Sequence, residues 1–254
     1  MTMSVLIAAV FGAVIGSFLN VCIYRLPRGA SVVVPASACP RCGHELAWFE
    51  NVPIVSWLVL RGRCRACRAS IGIRYPLVEA ITAVIFAWAW SAYGGTPVLL
   101  ASRLVFGCAL IVLFAIDLEH HLLPNVITLP GIAVGFLFSL FTEPGWRSSL
   151  IGILAGGGVL FAVAEAYYRV RHEEGLGMGD VKMLAMVGAF LGWQMTLMTL
   201  MMASLCGSLI GLLLIVTRRG GLKYALPFGT FLALGAAAAA TVGPAVLNWY
   251  LGLL

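Results

Sequence analysis

Residues 98–116 read VLLASRLVFGCALIVLFAI, and the next residue is Asp117. A helix that crosses the ~30 Å hydrocarbon layer of a membrane needs about 20 apolar residues, and this run supplies them. The carboxylate that ends it is costly at a membrane boundary unless paired or hydrated, which makes it a functional candidate. A second carboxylate stands in Gly177-Met178-Gly179-Asp180. The two are among only ten acidic residues in a 254-residue chain that is 61% hydrophobic and 10% charged, with mean hydropathy +1.01. A soluble domain carries about 25% charged residues, so this is expected to be an all-α polytopic membrane protein. Its net charge of +6 does not imply nucleic acid as a partner, because in a membrane protein the position of the cations matters more than their sum.

Working outward from the 98–116 run, apolar stretches recur at 4–24, 76–93, 126–141, 149–168, 181–193, 196–216 and 227–242. About eight transmembrane helices follow, with both termini on one side. No basic region precedes the first stretch; Arg25 and Arg28 come after it. It therefore reads as a first transmembrane helix rather than a cleaved signal peptide. The cations test the layout. Of the sixteen Lys and Arg residues, only Arg103 and Arg147 fall beside loops on one side, while the rest, including Arg169, Lys182, Arg218, Arg219 and Lys223, fall on the other. That imbalance marks the richer side as cytoplasmic and the termini as periplasmic. The expected organisation is a first transmembrane helix at 1–24, a cytoplasmic insert at 25–75 and a seven-helix core at 76–254. Asp117 and Asp180 then reach the same, cytoplasmic, membrane face. No internal repeat is apparent.

Two carboxylates at one depth suggest a dyad that shares a proton, which is aspartyl-protease chemistry: one member acts as base on water and the other, protonated, polarises the scissile carbonyl. The bland alternative makes Asp180 a helix N-cap and Asp117 an interfacial residue beside Glu119 and His120. Gly175, Gly177 and Gly179 favour the dyad, since glycine lets a substrate strand approach closely.

The seven cysteines divide into two sets. Cys22, Cys108 and Cys206 lie in apolar runs and read as packing residues. Cys39-Pro40-Arg41-Cys42-Gly43 and Cys64-Arg65-Ala66-Cys67 lie in the insert as two CxxC knuckles. On a reducing face such pairs favour metal over disulfide, and four thiolates leave no open position, so Cys39, Cys42, Cys64 and Cys67 are expected to hold a structural zinc. His44 is a less favoured ligand. Glu79 reads as a structural ion pair, Glu165 as the i,i+4 partner of Arg169, and Lys182 as a cation snorkelling to the interface. Gly12-x-x-x-Gly16 and Gly156–Gly158 read as close helix contacts and Asn20 as interhelical glue. The insert arginines Arg61, Arg63, Arg65 and Arg68 are placed to meet anionic lipid headgroups.

Several blocks then carry a resemblance that spans nearly the whole chain. They are Gly16-Ser17-Phe18-Leu19-Asn20-Val21-Cys22-Ile23-Tyr24-Arg25-Leu26-Pro27, the paired CxxC insert, Arg74-Tyr75-Pro76-Leu77-Val78-Glu79, the stretch from Asp117 to Asn125, Gly177-Met178-Gly179-Asp180-Val181-Lys182, and Pro227-Phe228-Gly229-Thr230-Phe231-Leu232. The chain resembles the bacterial type IV prepilin leader peptidases, GxGD-type intramembrane aspartyl proteases that often also act as N-methyltransferases. The resemblance implies that Asp117 and Asp180 are the catalytic pair, in an inner-membrane enzyme. It implies prepilins and type II secretion pseudopilins as substrates, each with a short basic leader, a glycine before the cut and a hydrophobic helix after it. It also implies S-adenosylmethionine as donor of a methyl group to the new N-terminus, though no residue pattern marks where that donor binds. Thr230 departs from the family's frequent proline and reads as removing no catalytic group. The rival readings are a protease alone, its zinc insert serving as a docking platform, and a transporter that relays ions or protons through its aspartates.

Overall fold

A computed structural model describes residues 2–172, 177–217 and 226–252. Among these the regular structure is helical, apart from two isolated β-bridges. The elements are α1 (Thr2–Arg25), the short α2 (Val55–Val59), α3 (Arg74–Tyr93), α4 (Pro97–His120), α5 (Asn125–Ser139), α6 (Trp146–Arg171), α7 (Met178–Val216), α8 (Phe228–Thr241) and α9 (Gly243–Leu251). Each of the eight stretches expected from the sequence lies on one of the longer helices. Five of these helices are long and apolar enough to cross a membrane, or six if α8 and α9, bent by 62°, form one span. The stretches 181–193 and 196–216 share α7, a 39-residue helix interrupted at Gly192, whose φ of 76° is outside the helical range. At about 1.5 Å per residue, the 15 residues of α5 are shorter than a full crossing.

Burial runs opposite to that of a water-soluble protein. Leu6, Ile7 and Val10 on α1 and Leu205, Leu209 and Leu213 on α7 are exposed, while Asn20, Glu79, Thr82, Ser102, Thr128, Ser149, Thr196 and Thr199 are buried. Without water to solvate them, polar groups turn to the helix interfaces and apolar ones to lipid. Five of these hydroxyls find carbonyl partners. Thr82, Thr128, Thr196 and Thr199 donate to the carbonyl four residues back, and Ser149 donates across to Ala189 O at 2.8 Å. The chain is a multi-pass membrane protein.

It divides into two compact units, Met1–Val112 and Leu113–Leu254, with the boundary inside α4. In the first, α1 packs along α3. Gly12 and Gly16 make this possible, since a side chain at either would strike the α3 backbone at Thr82–Ala83 or Glu79. Asn20 is interhelical glue as expected, its Nδ2 donating to Tyr75 O at 3.0 Å. The insert lies between these two helices in the chain, and Arg25 ties down its start by donating to Ser31 O and Pro35 O.

In the second unit α7 is central and packs on α5, α6 and α8. The closest approach is between Gly152 on α6 and Gly188 on α7, whose backbones each occupy the space a side chain would need on the other. Gly156 is similarly closed by Leu184 O, whereas Gly158 faces open space. The tight contact therefore lies on the Gly152–Gly156 face rather than along all of Gly156–Gly158. Gly188→Ala is expected to lower stability by about 1–3 kcal/mol through overpacking. Gly158→Ala is expected to raise it by about 0.5–1 kcal/mol through helix propensity. Melting of the two variants in detergent checks both signs.

Candidate active site and candidate metal centre

Asp117 lies one turn from the end of α4. His121 closes that helix in the left-handed region (φ 52°), and its N–H donates to Asp117 O at 2.9 Å. Leu122 and Leu123 follow, and Pro124 caps α5. This turn leaves the Asp117 side chain buried against the start of α8. Its Oδ2 accepts two hydrogen bonds from Thr230, one from the backbone N at 2.6 Å and one from Oγ1 at 3.0 Å. Thr230 is the third residue of α8, and the N-cap residue, Pro227, makes no side-chain cap. Asp117 therefore does the capping, and the partial positive charge of the helix N-terminus faces its carboxylate. Gly229 completes the fit: a Cβ there would stand 2.9 Å from Asp117 Oδ2 and 2.8 Å from Leu123 Cδ1.

Asp180 is the third residue of α7, after the N-cap Gly177, and is half-buried. Its N–H donates to Gly177 O at 3.1 Å, and its carboxylate accepts from the Gly177 backbone. Asp180 thus caps the helix from inside its first turn rather than from the N-cap position. Its carboxylate and that of Asp117 are close enough to repel one another. The two helix starts, at α7 and α8, therefore bring both aspartates to one place in the second unit.

Three sequence expectations change here. Gly179 does not leave room for a substrate strand, because Leu123 fills its missing side chain, with Cβ contact at 2.9 Å. Gly177 sits at φ −70°, a conformation open to any residue, and a side chain there would lie 3.3 Å from Asp180 Oδ2. Gly175 lies outside the described residues. Lys182 does not stand free: its Nζ donates to Asn125 Oδ1 at 2.9 Å and joins the starts of α7 and α5. Thr230 is not a neutral departure, because it supplies both donors to Asp117. Nothing local in the sequence signals this, as the pair is 113 residues apart. Thr230→Val keeps the N–H and removes the hydroxyl. A hydrogen bond to a charged group is worth about 1.5–3 kcal/mol, so this variant is expected to lose about that much stability, read by melting in detergent.

The four insert cysteines converge as expected. Cys39, Cys42, Cys64 and Cys67 place their Sγ atoms within 4.8 Å of one another, and Cys39 and Cys67 are 3.9 Å apart. Four Zn–S bonds of about 2.3 Å in a tetrahedron put the sulfurs about 3.8 Å apart, so the donor set and spacing fit zinc. The backbone also reveals a repeat that composition hides. Cys39 N–H donates to His44 O and Gly43 N–H to Cys39 O; in the second knuckle Cys64 N–H donates to Ala69 O and Arg68 N–H to Cys64 O. The bridges Ala38–Glu45 and Arg63–Ser70 close the two turns alike. Gly43 (φ 73°) and Arg68 (φ 59°) are both left-handed, a position where glycine is the ordinary choice. Backbone N–H groups of Arg41 and Cys42 bring the Cys39 thiol down to about 6. The His44 N–H favours a Cys42 thiolate, but burial and the neighbouring sulfurs outweigh it and push Cys42 up to about 11. A dication would remove that conflict.

His44 is not a ligand here; its Nε2 lies 3.0 Å from Glu50 Oε2, which also accepts from Ala47 N–H. Chiefly through the Ala47 N–H, with His44 adding to it, the Glu50 carboxyl is held below its ordinary value. Among the described residues Glu79 has hydrogen-bond partners rather than an ion pair: its Oε2 accepts from Ile54 N–H at 2.7 Å, and Ser17 also bonds to it. Glu165 and Arg169 form the expected i,i+4 pair at 2.7 Å.

Residues 10–93 match the model of the bacterial peptidase A24 N-terminal domain, and residues 104–212 match that of the type IV leader peptidase family. Similar curated proteins carry the name prepilin leader peptidase/N-methyltransferase. One from Burkholderia pseudomallei (strain 1026b) is 39% identical over 93% of this chain and 84% of its own. One from Aeromonas salmonicida (strain A449) is 37% identical over 96% and 92%, and one from Pseudomonas aeruginosa is 35% identical over 97% and 93%. No solved structure matches.

Proposed function

The chain belongs to the type IV leader peptidase family and is a prepilin peptidase with N-methyltransferase activity; from that premise we propose that Asp117 and Asp180 make the cut. The observation that carries the assignment is the meeting of the two carboxylates at the N-terminal turns of α7 and α8. Two carboxylates that repel one another in a buried setting favour a singly protonated pair. The two Thr230 donors and the α8 N-terminus favour Asp117 as the charged member. Asp117 then takes a proton from water, and the oxygen attacks the carbonyl carbon of the scissile peptide. Asp180 gives its proton to the carbonyl oxygen. As the tetrahedral intermediate collapses and the C–N bond breaks, Asp117 passes its proton to the leaving nitrogen and Asp180 takes back a proton from the intermediate's hydroxyl. The leader ends in a carboxylate and the mature chain begins with an amine. S-adenosylmethionine, when bound, supplies a methyl carbon on a positively charged sulfur for that amine to accept.

The substrate reading is prepilins and type II secretion pseudopilins, cut on the cytoplasmic side of the bacterial inner membrane. The bias of Lys and Arg supports that side. The same bias supports eight spans with periplasmic termini, the two segments of α7 about Gly192 counting separately. The organisation proposed remains a first helix (1–24), a cytoplasmic insert (25–75) held by zinc at Cys39, Cys42, Cys64 and Cys67, and a protease core (76–254). Purified protein in detergent, given a prepilin peptide and methyl-labelled S-adenosylmethionine, tests the reading. The expected products are a leader ending in glycine and a mature peptide labelled at its N-terminus. An intact peptide would refute it.

A further inference from the structure

The first unit contains a cavity of about 350 Å³ between the insert and the first turns of α3. That volume lies within the range of about 300–1,000 Å³ typical of small-molecule sites. Its wall carries charges of both signs, Glu50 and Glu79 against Arg41 and Arg65, together with the aromatic side chains of Trp57 and Tyr75. Both carboxylates are buried. Glu50 is only 3% exposed at its side chain. Its Oε2 is taken by His44 and Ala47, but its buried Oε1 has no hydrogen-bond partner among the described residues. A buried carboxylate oxygen left unpaired is costly, and it marks a place where a cation or donor is missing. The backbone here is also held in an unusual state. Ile54 has φ 62°, a sparsely populated conformation for a β-branched residue, and its N–H is pinned to Glu79 Oε2. Such strain gathers at ligand sites.

We propose that this cavity binds S-adenosylmethionine, with Glu50 and Glu79 facing its sulfonium, Arg41 and Arg65 its carboxylate, and Trp57 and Tyr75 its flat ring. The assignment rests on the methyltransferase reading above and adds the residues that reading lacks. The fit is one of charge pattern. The ligand is a zwitterion with an additional positive sulfur, and the wall offers anions, cations and aromatic faces together. Aromatic rings attract a sulfonium as they attract an ammonium ion. The walls come from both the zinc-knuckle insert, through Cys39 and Cys64, and the membrane helix α3, through Tyr75 and Glu79. A metal-held insert therefore forms one side of the site and a membrane-embedded helix the other.

The test uses the full chain in detergent and two probes, methyl-tritiated S-adenosylmethionine and S-adenosylhomocysteine, whose sulfur is neutral. Ultraviolet cross-linking of the first probe to wild-type protein is expected to label the segment 38–79. Glu79→Gln keeps an acceptor for Ile54 N–H and so preserves the local fold. It is expected to weaken S-adenosylmethionine binding by about tenfold while changing S-adenosylhomocysteine binding by less than about threefold, because only the first loses a charge partner. Glu50→Gln is expected to show the same selectivity. Equal weakening of both probes, or none, would overturn the charge assignment. Methyl transfer by the wild type with label mapping outside 38–79 would overturn the cavity alone. Absence of both binding and methyl transfer would overturn the methyltransferase reading and the cavity with it.

Discussion

Asp117→Asn and Asp180→Asn are each expected to reduce prepilin cleavage by about 10²–10⁴-fold, the range for losing a general acid or base. The isosteric amide is the informative change. At Asp117 it can still accept from Thr230, so α8 keeps its anchor while the position loses its proton-accepting role. At Asp180 it can still accept from the Gly177 backbone. Two groups that share one proton act as a unit, and such units are strongly non-additive. The double variant should therefore be no slower than the worse single one. Cleavage rates for the three proteins, with melting curves alongside, check this. Cleavage at more than a tenth of the wild-type rate by either single variant would sink the dyad. A double variant slower by the product of both single effects would show two independent groups instead.

The second large effect concerns the insert. Protein purified without chelator is expected to carry one zinc per chain, and Cys39→Ser or Cys64→Ser to carry none. Structural zinc contributes an apparent ~10–16 kcal/mol in zinc-finger peptides, more than an insert with one five-residue helix and two isolated bridges can replace. Loss of metal should therefore open the segment around residues 39–68 to limited proteolysis. It should also abolish methyl transfer, because Cys39 and Cys64 line the cavity assigned to the methyl donor. Acid should release the metal as protons compete for the thiolates, so zinc content should fall as pH drops. Elemental analysis across pH, with proteolysis of the same samples, decides the matter. Zinc-free wild-type protein with a protease-resistant insert would remove the metal from the account.

Much of the architecture was legible because membrane physics leaves strong local marks. The apolar runs fell on helices, Gly12 and Gly16 met α3, and the spacing within each CxxC was enough to identify the knuckles. What escaped the sequence is what depends on convergence. The Gly152–Gly188 crossing joins two small-residue faces, Gly152-x-x-x-Gly156 and Gly188-x-x-x-Gly192, and neither motif says which partner it meets. Arg68 takes a glycine's conformation without being glycine, so the turn that closes the second knuckle carries no sequence mark. Leu123 fills the space over Gly179, so that glycine serves internal packing rather than access. Thr230 was set aside as a substitution because its partner is far along the chain. Glu50 and Trp57 carry no motif, and only the fold brings them to one cavity wall. Each miss lies at the packing stage, where residues distant in sequence become neighbours.

The double engagement of Asp117 Oδ2 bears on inhibition. A compound that mimics the tetrahedral intermediate usually offers a hydroxyl to both carboxylates of a dyad. Here one oxygen of one carboxylate is already committed to the Thr230 N–H and hydroxyl. The compound's hydroxyl gains most by addressing Asp117 through Oδ1, so lead molecules with an off-centre hydroxyl should outperform symmetric ones. Replacing Thr230 with proline would remove both donors and free Oδ2. Symmetric compounds should then recover their advantage, which makes residue 230 a handle on inhibitor preference.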